Sequence, residues 1–332
     1  MRTKLVLYML VPVFLLLALL FVCLSLFGRF KTPHDTLSER LDTQAMNFEK
    51  ELLSHRNNLV TVGTYLSEDI TRLTETYLRD AGTTLAALSD SDGLAALQER
   101  IIEPLRQYLL QADCSGAFVL FNATAGTDAN APSRSGLYLQ VNGYETDRRE
   151  MILYRGSSAV GKAHGIMPHR KWRLETQKNI ISAWDGQTSD PARPLANSYR
   201  FTDVFTLPGM SEKAILLMLP VWGSDGTALG VCVFEVSESC FARLHSQSTK
   251  LPHFTGLLTH GAGNTVSPFL SCGSDDGYYY APDGSLSVTG SDSGILKLTD
   301  AGNSYLGIKR NLHRSPHRRR LYNRCHDPQK RL

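Results

Sequence analysis

Apolar residues fall first in one unbroken block and then at helical spacing. Residues 5–28, LVLYMLVPVFLLLALLFVCLSLFG, carry no charge, and Arg2, Lys4, Arg29 and Lys31 flank them. A helix rises about 1.5 Å per residue, so this run is long enough to cross the ~30 Å hydrocarbon layer with some tilt. A cleaved signal peptide would have an apolar core of roughly 7–15 residues and small residues at the cut site. Leu24, Leu26 and Phe27 stand there instead. The pattern therefore predicts a retained single-pass anchor over residues 1–31, with a short cytoplasmic stub. The flanking basic residues balance, and the free amino group tips the N-terminus to the cytoplasm, which places the rest of the chain outside the cell membrane.

Beyond the block, Leu41, Ala45, Phe48, Leu52, Leu59, Val62, Leu66, Leu73 and Tyr77 follow a 3-4 alternation. This predicts one long amphipathic helix within residues 32–82, ended by Asp80-Ala-Gly82. Its stripe packs against the chain's own domain or a partner helix, and would serve a homodimer. A second helix is expected over 94–111, with a kink or break at Pro104. From Gly116 the period shortens to two, and strands are expected at 117–121, 137–141 and 151–154. Short helices are expected at 157–164 and 178–184. A strong strand pair at 214–222 and 228–236 is joined by Gly223-Ser-Asp-Gly-Thr227, a hairpin turn. A short helix at 237–245 leads to a Gly-, Ser- and Asp-rich lobe with strand candidates at 255–259, 277–281, 286–288 and 305–308. The fold class is α+β: an anchor, a long stalk helix, a larger antiparallel-sheet lobe at 83–245 and a smaller lobe at 246–308.

Composition is that of an ordinary globular chain: 332 residues, 42% hydrophobic and 20% charged. The net charge of +3 hides an asymmetry, because residues 309–332 hold nine Lys and Arg against one acid, Asp327. That segment has no apolar period and reads as a disordered basic tail. Its abrupt start after Tyr305-Leu-Gly-Ile-Lys309 has the look of a reading-frame shift. With one membrane span the tail lies on the outer side, away from DNA, so no nucleic-acid partner is expected. The six cysteines show no C-x-x-C spacing, which argues against a zinc ribbon or a thioredoxin-type site. For the four body cysteines, buried thiols are favoured over disulfides.

The order of long helix, helix pair and strands, ending in Leu219-Pro-Val-Trp-Gly-Ser-Asp-Gly-Thr-Ala-Leu-Gly-Val-Cys-Val-Phe-Glu-Val-Ser237, resembles a double Cache sensor, the PAS-like extracytoplasmic domain of bacterial receptors. In that hairpin the turn needs Gly at positive φ, and Gly230 lets the returning strand pass close to its neighbour. Ser135-Gly-Leu-Tyr138, Leu153-Tyr-Arg-Gly156, His169-Arg-Lys-Trp172 and Thr206-Leu-Pro-Gly209 resemble, more narrowly, the sensor half of membrane-bound AraC-type helix-turn-helix regulators of Gram-positive bacteria. The resemblance implies a second span and a DNA-binding output domain that this sequence does not contain.

It also implies a small-molecule pocket in the larger lobe. Amino-acid-binding members carry an R-x-W-Y run and a distant Asp. Here Arg170 and Trp172 match, Arg173 replaces the Tyr, and Glu235 stands where the Asp would be. A guanidinium grips a carboxylate in two-pronged fashion, an indole covers the apolar part, and an acid pairs with an ammonium. A carboxylate-containing ligand is thus one reading; surface arginines beside a core tryptophan is the other. Asp203, a lone acid between Phe201 and Phe205, needs a partner if buried. No nucleophile, base and orienting group assemble, His164 and His169 are not on one helical face, and no cofactor motif is present, so neither an enzyme nor a metal site is expected. The expected role is the extracytoplasmic sensing region of a receptor, with a membrane-anchored adhesion or scaffold protein, and then a hydrolase, as alternatives.

Overall fold

The computed structural model describes residues 2–26, 33–88, 91–125, 133–144, 149–169, 191–206, 212–246, 251, 254–260, 264–274, 284–292, 294–300 and 302–312. The chain divides into two compact units, one of Met1–Glu49 with Leu286–Leu332 and one of Lys50–Ser285. The first helix, α1 (Arg2–Leu26), is the apolar block, with Pro12 inside it. Its large side chains from Leu10 to Val22 are 47–69% exposed. Among the described residues no helix is long and apolar enough to cross a membrane. Side chains of α1 are described only over 10–23, a stretch shorter than a bilayer crossing, so the expected span is not shown by the structure.

Helix α2 (Pro33–Asp80) runs for 48 residues, about 72 Å, and contributes to both units. In the larger unit its apolar stripe, Leu59, Val62, Leu66 and Ile70, is buried. Helix α3 (Ser91–Gln111) adds Leu97, Ile101, Ile102, Leu105 and Leu109. The break expected at Pro104 does not occur. The carbonyl that loses its partner there belongs to Arg100, on the exposed side of the helix, where water can satisfy it.

The helices cover one face of an eight-stranded sheet. Its strands are β1 (Gly116–Ala125), β2 (Ser133–Asn142), β3 (Glu150–Arg155), β4 (Met167–Pro168), β5 (Arg200–Phe201), β6 (Phe205–Thr206), β7 (Lys213–Trp222) and β8 (Ala228–Ser237). The order is β4-β3-β2-β1-β8-β7-β5, with β6 also on β7. All pairings are antiparallel except β3 with β4, which the short helix α4 (Ser158–Ala163) connects. The β7–β8 hairpin forms as expected: Gly226 takes φ 81°, Gly223 N donates to Thr227 O at 2.7 Å, and Asp225 Oδ1 accepts from Thr227 N at 2.8 Å.

Helix α5 (Glu238–Leu244) leaves β8 under the cap of Ser237, whose hydroxyl accepts from Cys240 N. It leads to the hairpin β9 (Gly256–His260) and β10 (Thr265–Cys272). In the smaller unit β11 (Leu286–Asp292), β12 (Ile295–Thr299) and β13 (Ser304–Gly307) form an antiparallel meander. Arg310 binds Asp42 at 2.7 Å and Glu49 at 3.3 Å on α2, so the body continues past the boundary expected at Lys309. The strand expected at 277–281, the helix at 178–184 and the tail from 313 lie outside the described residues.

Two glycines set the spacing of the larger unit. A Cβ on Gly63 of α2 would lie 2.6 Å from Leu219 Cδ1 and 3.4 Å from Phe234 Cε2, so the helix sits directly on β7 and β8. A Cβ on Gly230 would press into the backbone carbonyl of Leu120, which cannot move without parting β1 from β8. Gly230→Ala should destabilise the protein by about 1–3 kcal/mol, read as a lower midpoint of chemical denaturation; an unchanged midpoint would contradict this packing.

Candidate functional site

The two faces of the sheet differ in chemistry. Phe118, Leu120, Tyr138, Leu216, Met218, Val231 and Val233 form a buried cluster, with Tyr154 packed against it. Strand alternation puts Gly116, Gln140 and Glu235 on that same face, because Gly116 pairs with Glu235 and with Gln140 on its two sides. Gly116 leaves the room this requires: a Cβ there would stand 3.0 Å from Tyr138 Cε2 and 3.3 Å from Glu235 Cβ.

Glu235 is 1% exposed. Its Oε1 accepts from Gln140 Nε2 at 2.9 Å and from the Ser115 hydroxyl at 2.8 Å, and its Oε2 accepts a short bond from the Tyr138 hydroxyl. The strand termini lock the same place, since Ser115 N donates to Glu235 O at 2.8 Å and Ser237 N to Ser115 Oγ at 2.8 Å. Burial pushes the Glu235 carboxyl above its ordinary value of 4.5, against the pull of its three hydrogen-bond donors. The same burial, with the carboxylate beside it, pushes the Tyr138 hydroxyl well up.

An aromatic row extends from this centre: Phe118 to Tyr138 at 4.9 Å, Tyr138 to Tyr154 at 5.5 Å, and Tyr154 stacked on His169 at 4.5 Å. A bulge in the β2–β3 pairing sets Arg155 opposite Tyr138. Arg155 is 2% exposed, and burial lowers its pKa to about 10. The sheet therefore combines a buried acid, a buried guanidinium and stacked rings within four adjoining strands.

Of the four residues singled out in the sequence, Glu235 stands at this centre. Arg170 and Trp172 lie outside the described residues. Asp203, between β5 and β6, is exposed, so water hydrates it and no buried partner is needed; Thr202 makes the contacts to β7, through Leu216 N and O at 3.0 and 2.9 Å. His164 and His169 do separate work: His164 caps α4 and meets Glu99 at 2.7 Å, while His169 stacks on Tyr154. The cysteines Cys114, Cys232, Cys240 and Cys272 are buried thiols, and burial raises the pKa of each. Among the described residues no group of His, Cys, Asp and Glu is placed to hold a metal ion.

Sequence reasoning missed Ser115, Tyr138, Gln140 and Arg155. The signal was present: Gln140 and Arg155 interrupt the otherwise apolar strands LYLQV and ILYR, and Glu235 interrupts VCVFEV. A polar residue inside a strand buried on both faces must meet another.

No protein-family model and no curated protein matches the chain. Among solved structures it is similar to a methyl-accepting chemotaxis protein X, at 13% identity and TM-score 0.37, over 64% of this chain and 66% of that one. It is similar to the periplasmic sensory domain of the Campylobacter jejuni chemoreceptor Tlp1, at 8% identity and TM-score 0.33, over 63% and 61%. A third is the ligand-binding domain of the Campylobacter jejuni chemoreceptor Tlp3 in complex with L-valine, at 14% identity and TM-score 0.27, over 64% and 69%. The chain thus spans a little under two thirds of the length of the first two.

Because a hydrogen bond to a buried charge contributes about 1.5–3 kcal/mol, Tyr138→Phe should lower stability by that amount at neutral pH. Burial raises the Glu235 pKa, whereas the Tyr138 hydroxyl pulls it down by favouring the ionised carboxylate. The hydroxyl's contribution is therefore greatest where the carboxyl is ionised and falls as the carboxyl protonates with decreasing pH. The cost of Tyr138→Phe should therefore shrink below pH 4.5. Denaturation of both proteins at the two pH values checks this, and equal stability at neutral pH would contradict the network.

Proposed function

We propose that the chain is the extracytoplasmic sensing region of a membrane-anchored receptor, which binds a small molecule on the sheet face that carries Glu235 and passes the event to α2. The observation that carries this reading is the division of labour across one sheet. One face holds a buried carboxyl among aromatic and polar side chains; the other is seated on a 48-residue helix that leads in sequence to an apolar block. Structural proteins gain nothing from a buried acid, because its desolvation costs several kcal/mol and an apolar side chain of like size would pack as well. Sites that recognise polar ligands retain such groups.

Three donors satisfy part of the Glu235 carboxylate, and acceptor capacity remains on Oε2. An ammonium group would complete it and balance its charge. Arg170, two residues before Trp172 in sequence, is the residue assigned to a carboxylate on the same ligand, and Asp203 is an exposed acid in the segment between β5 and β6. The ligand class is a small carboxylate, with an amino acid the best-matched member. Membrane attachment rests on the uncharged run of residues 5–28 and on the exposure of the large apolar side chains of α1 between Leu10 and Val22. Bilayer is the partner that such an all-round apolar helix needs.

A thermal-shift screen of amino acids and small carboxylates against the full chain in detergent tests the reading. One class should raise the melting temperature, and Arg170→Ala, Trp172→Ala and Glu235→Gln should each weaken binding by roughly 10- to 150-fold. A ligand bound equally well by all three variants would move the site elsewhere. Fractionation tests the anchor: the chain should resist carbonate extraction from membranes and retain residues 1–31, and a mature N-terminus near residue 30 would sink that part.

A further inference from the structure

The His55–His245 contact stands apart from the Glu235 centre. His55, on α2, and His245, the residue after α5, meet with Nδ1 of the first 3.0 Å from Nε2 of the second. His55 Nε2 lies 3.0 Å from the carbonyl oxygen of Asp113, whose φ of 50° is the one positive value outside glycine among the described residues. A carbonyl only accepts, so Nε2 of His55 carries a proton and Nδ1 of the neutral ring is an acceptor. His245 must then donate through Nε2. Its ring is 3% exposed and packs 4.7 Å from Phe241.

This geometry admits one extra proton and not two. With one, a single N–H still lies between the facing nitrogens. With two, both nitrogens carry N–H, and two like charges face each other across 3.0 Å in a part-buried site. What the contact fastens is specific: α2, the turn that enters β1 two residues before Ser115, and α5, which follows β8 three residues after Glu235.

We propose that this histidine pair is a proton-sensing catch, holding α2 to α5 and to the Asp113 turn until both rings are protonated. The groups around it are few. From the turn, the exposed Asp113 carboxylate favours a charged His55, and the His55 ring opposes charge on His245. Glu51 on α2 and Arg243 on α5 are exposed. The buried thiols of Cys114 and Cys240 stay neutral. Burial holds both histidines below the ordinary 6.5, His245 at about 4. The stabilising contact is therefore fully present above 6.5 and is lost as pH falls through the lowered values.

Amide hydrogen exchange of the full chain in detergent, corrected for intrinsic pH dependence, tests the catch. As pH falls from about 6.5 to about 4, residues 51–58 and 238–246 should lose protection about tenfold or more relative to residues 66–72. In His245→Gln and His55→Gln, which keep a neutral polar side chain but cannot titrate, that relative loss should disappear. A flat profile in the parent, or the same loss in both variants, would overturn the proposal. Should the variants not fold, imidazole NMR signals of the parent decide it: titration of both rings below the ordinary 6.5 is the expected result, and titration at 6.5 the contrary one.

Discussion

The close seating of α2 on β7 and β8 is the constraint on which the larger unit depends. Gly63 permits it, and three polar contacts then fix its register. Ser67 Oγ donates to Pro220 O at 2.5 Å, Thr71 Oγ1 to Trp222 O at 3.0 Å, and Glu75 Oε1 accepts from Ser224 N at 2.5 Å. Ser67, Thr71 and Glu75 stand four residues apart, one per turn, so the helix face is keyed to the strand end and the hairpin turn. Each such bond contributes only about 0.5–1.5 kcal/mol. Together with the buried stripe from Leu59 to Ile70 they leave α2 no freedom to slide without cost.

That seating gives the sheet its asymmetry. Leu219 and Phe234 point toward α2, and by strand alternation Met218 and Glu235, their neighbours in sequence, point away. A change at the Glu235 centre is thus one backbone step from the helix. Ser115 makes the link tighter, since it binds the Glu235 side chain and backbone and also Ser237, where α5 begins. The coupling is physical contiguity between a polar centre and a rigid element.

Much of this was legible in the sequence because the patterns were long. The α2 stripe ran far enough for both ends to be placed, and the hairpin from Lys213 to Ser237 announced itself through two apolar runs about a Gly-containing turn. Short strands escaped. In β10, Pro268 lacks a ladder donor, and the structure accommodates it beside a bulge between Pro268 and Leu270. In β12, the Leu-Lys-Leu alternation covers only five residues. Pro104 misled in the other direction, because its missing bond falls on a wet helix face. At the site, Glu235 was found through a motif, while Tyr138, Gln140 and Ser115 were not, because their roles depend on the order β2-β1-β8. A strand order in which the last long strand sits beside the first cannot be read from local periodicity.

The central claim is that occupancy of the Glu235 face is felt by α2. Hydrogen exchange of the full chain at constant pH, with and without a bound small molecule, measures it most directly. The account predicts that slowed exchange at β1 and β8 is accompanied by a change along α2 from His55 to Glu75. Protection confined to the strands, with α2 unaltered, would contradict it.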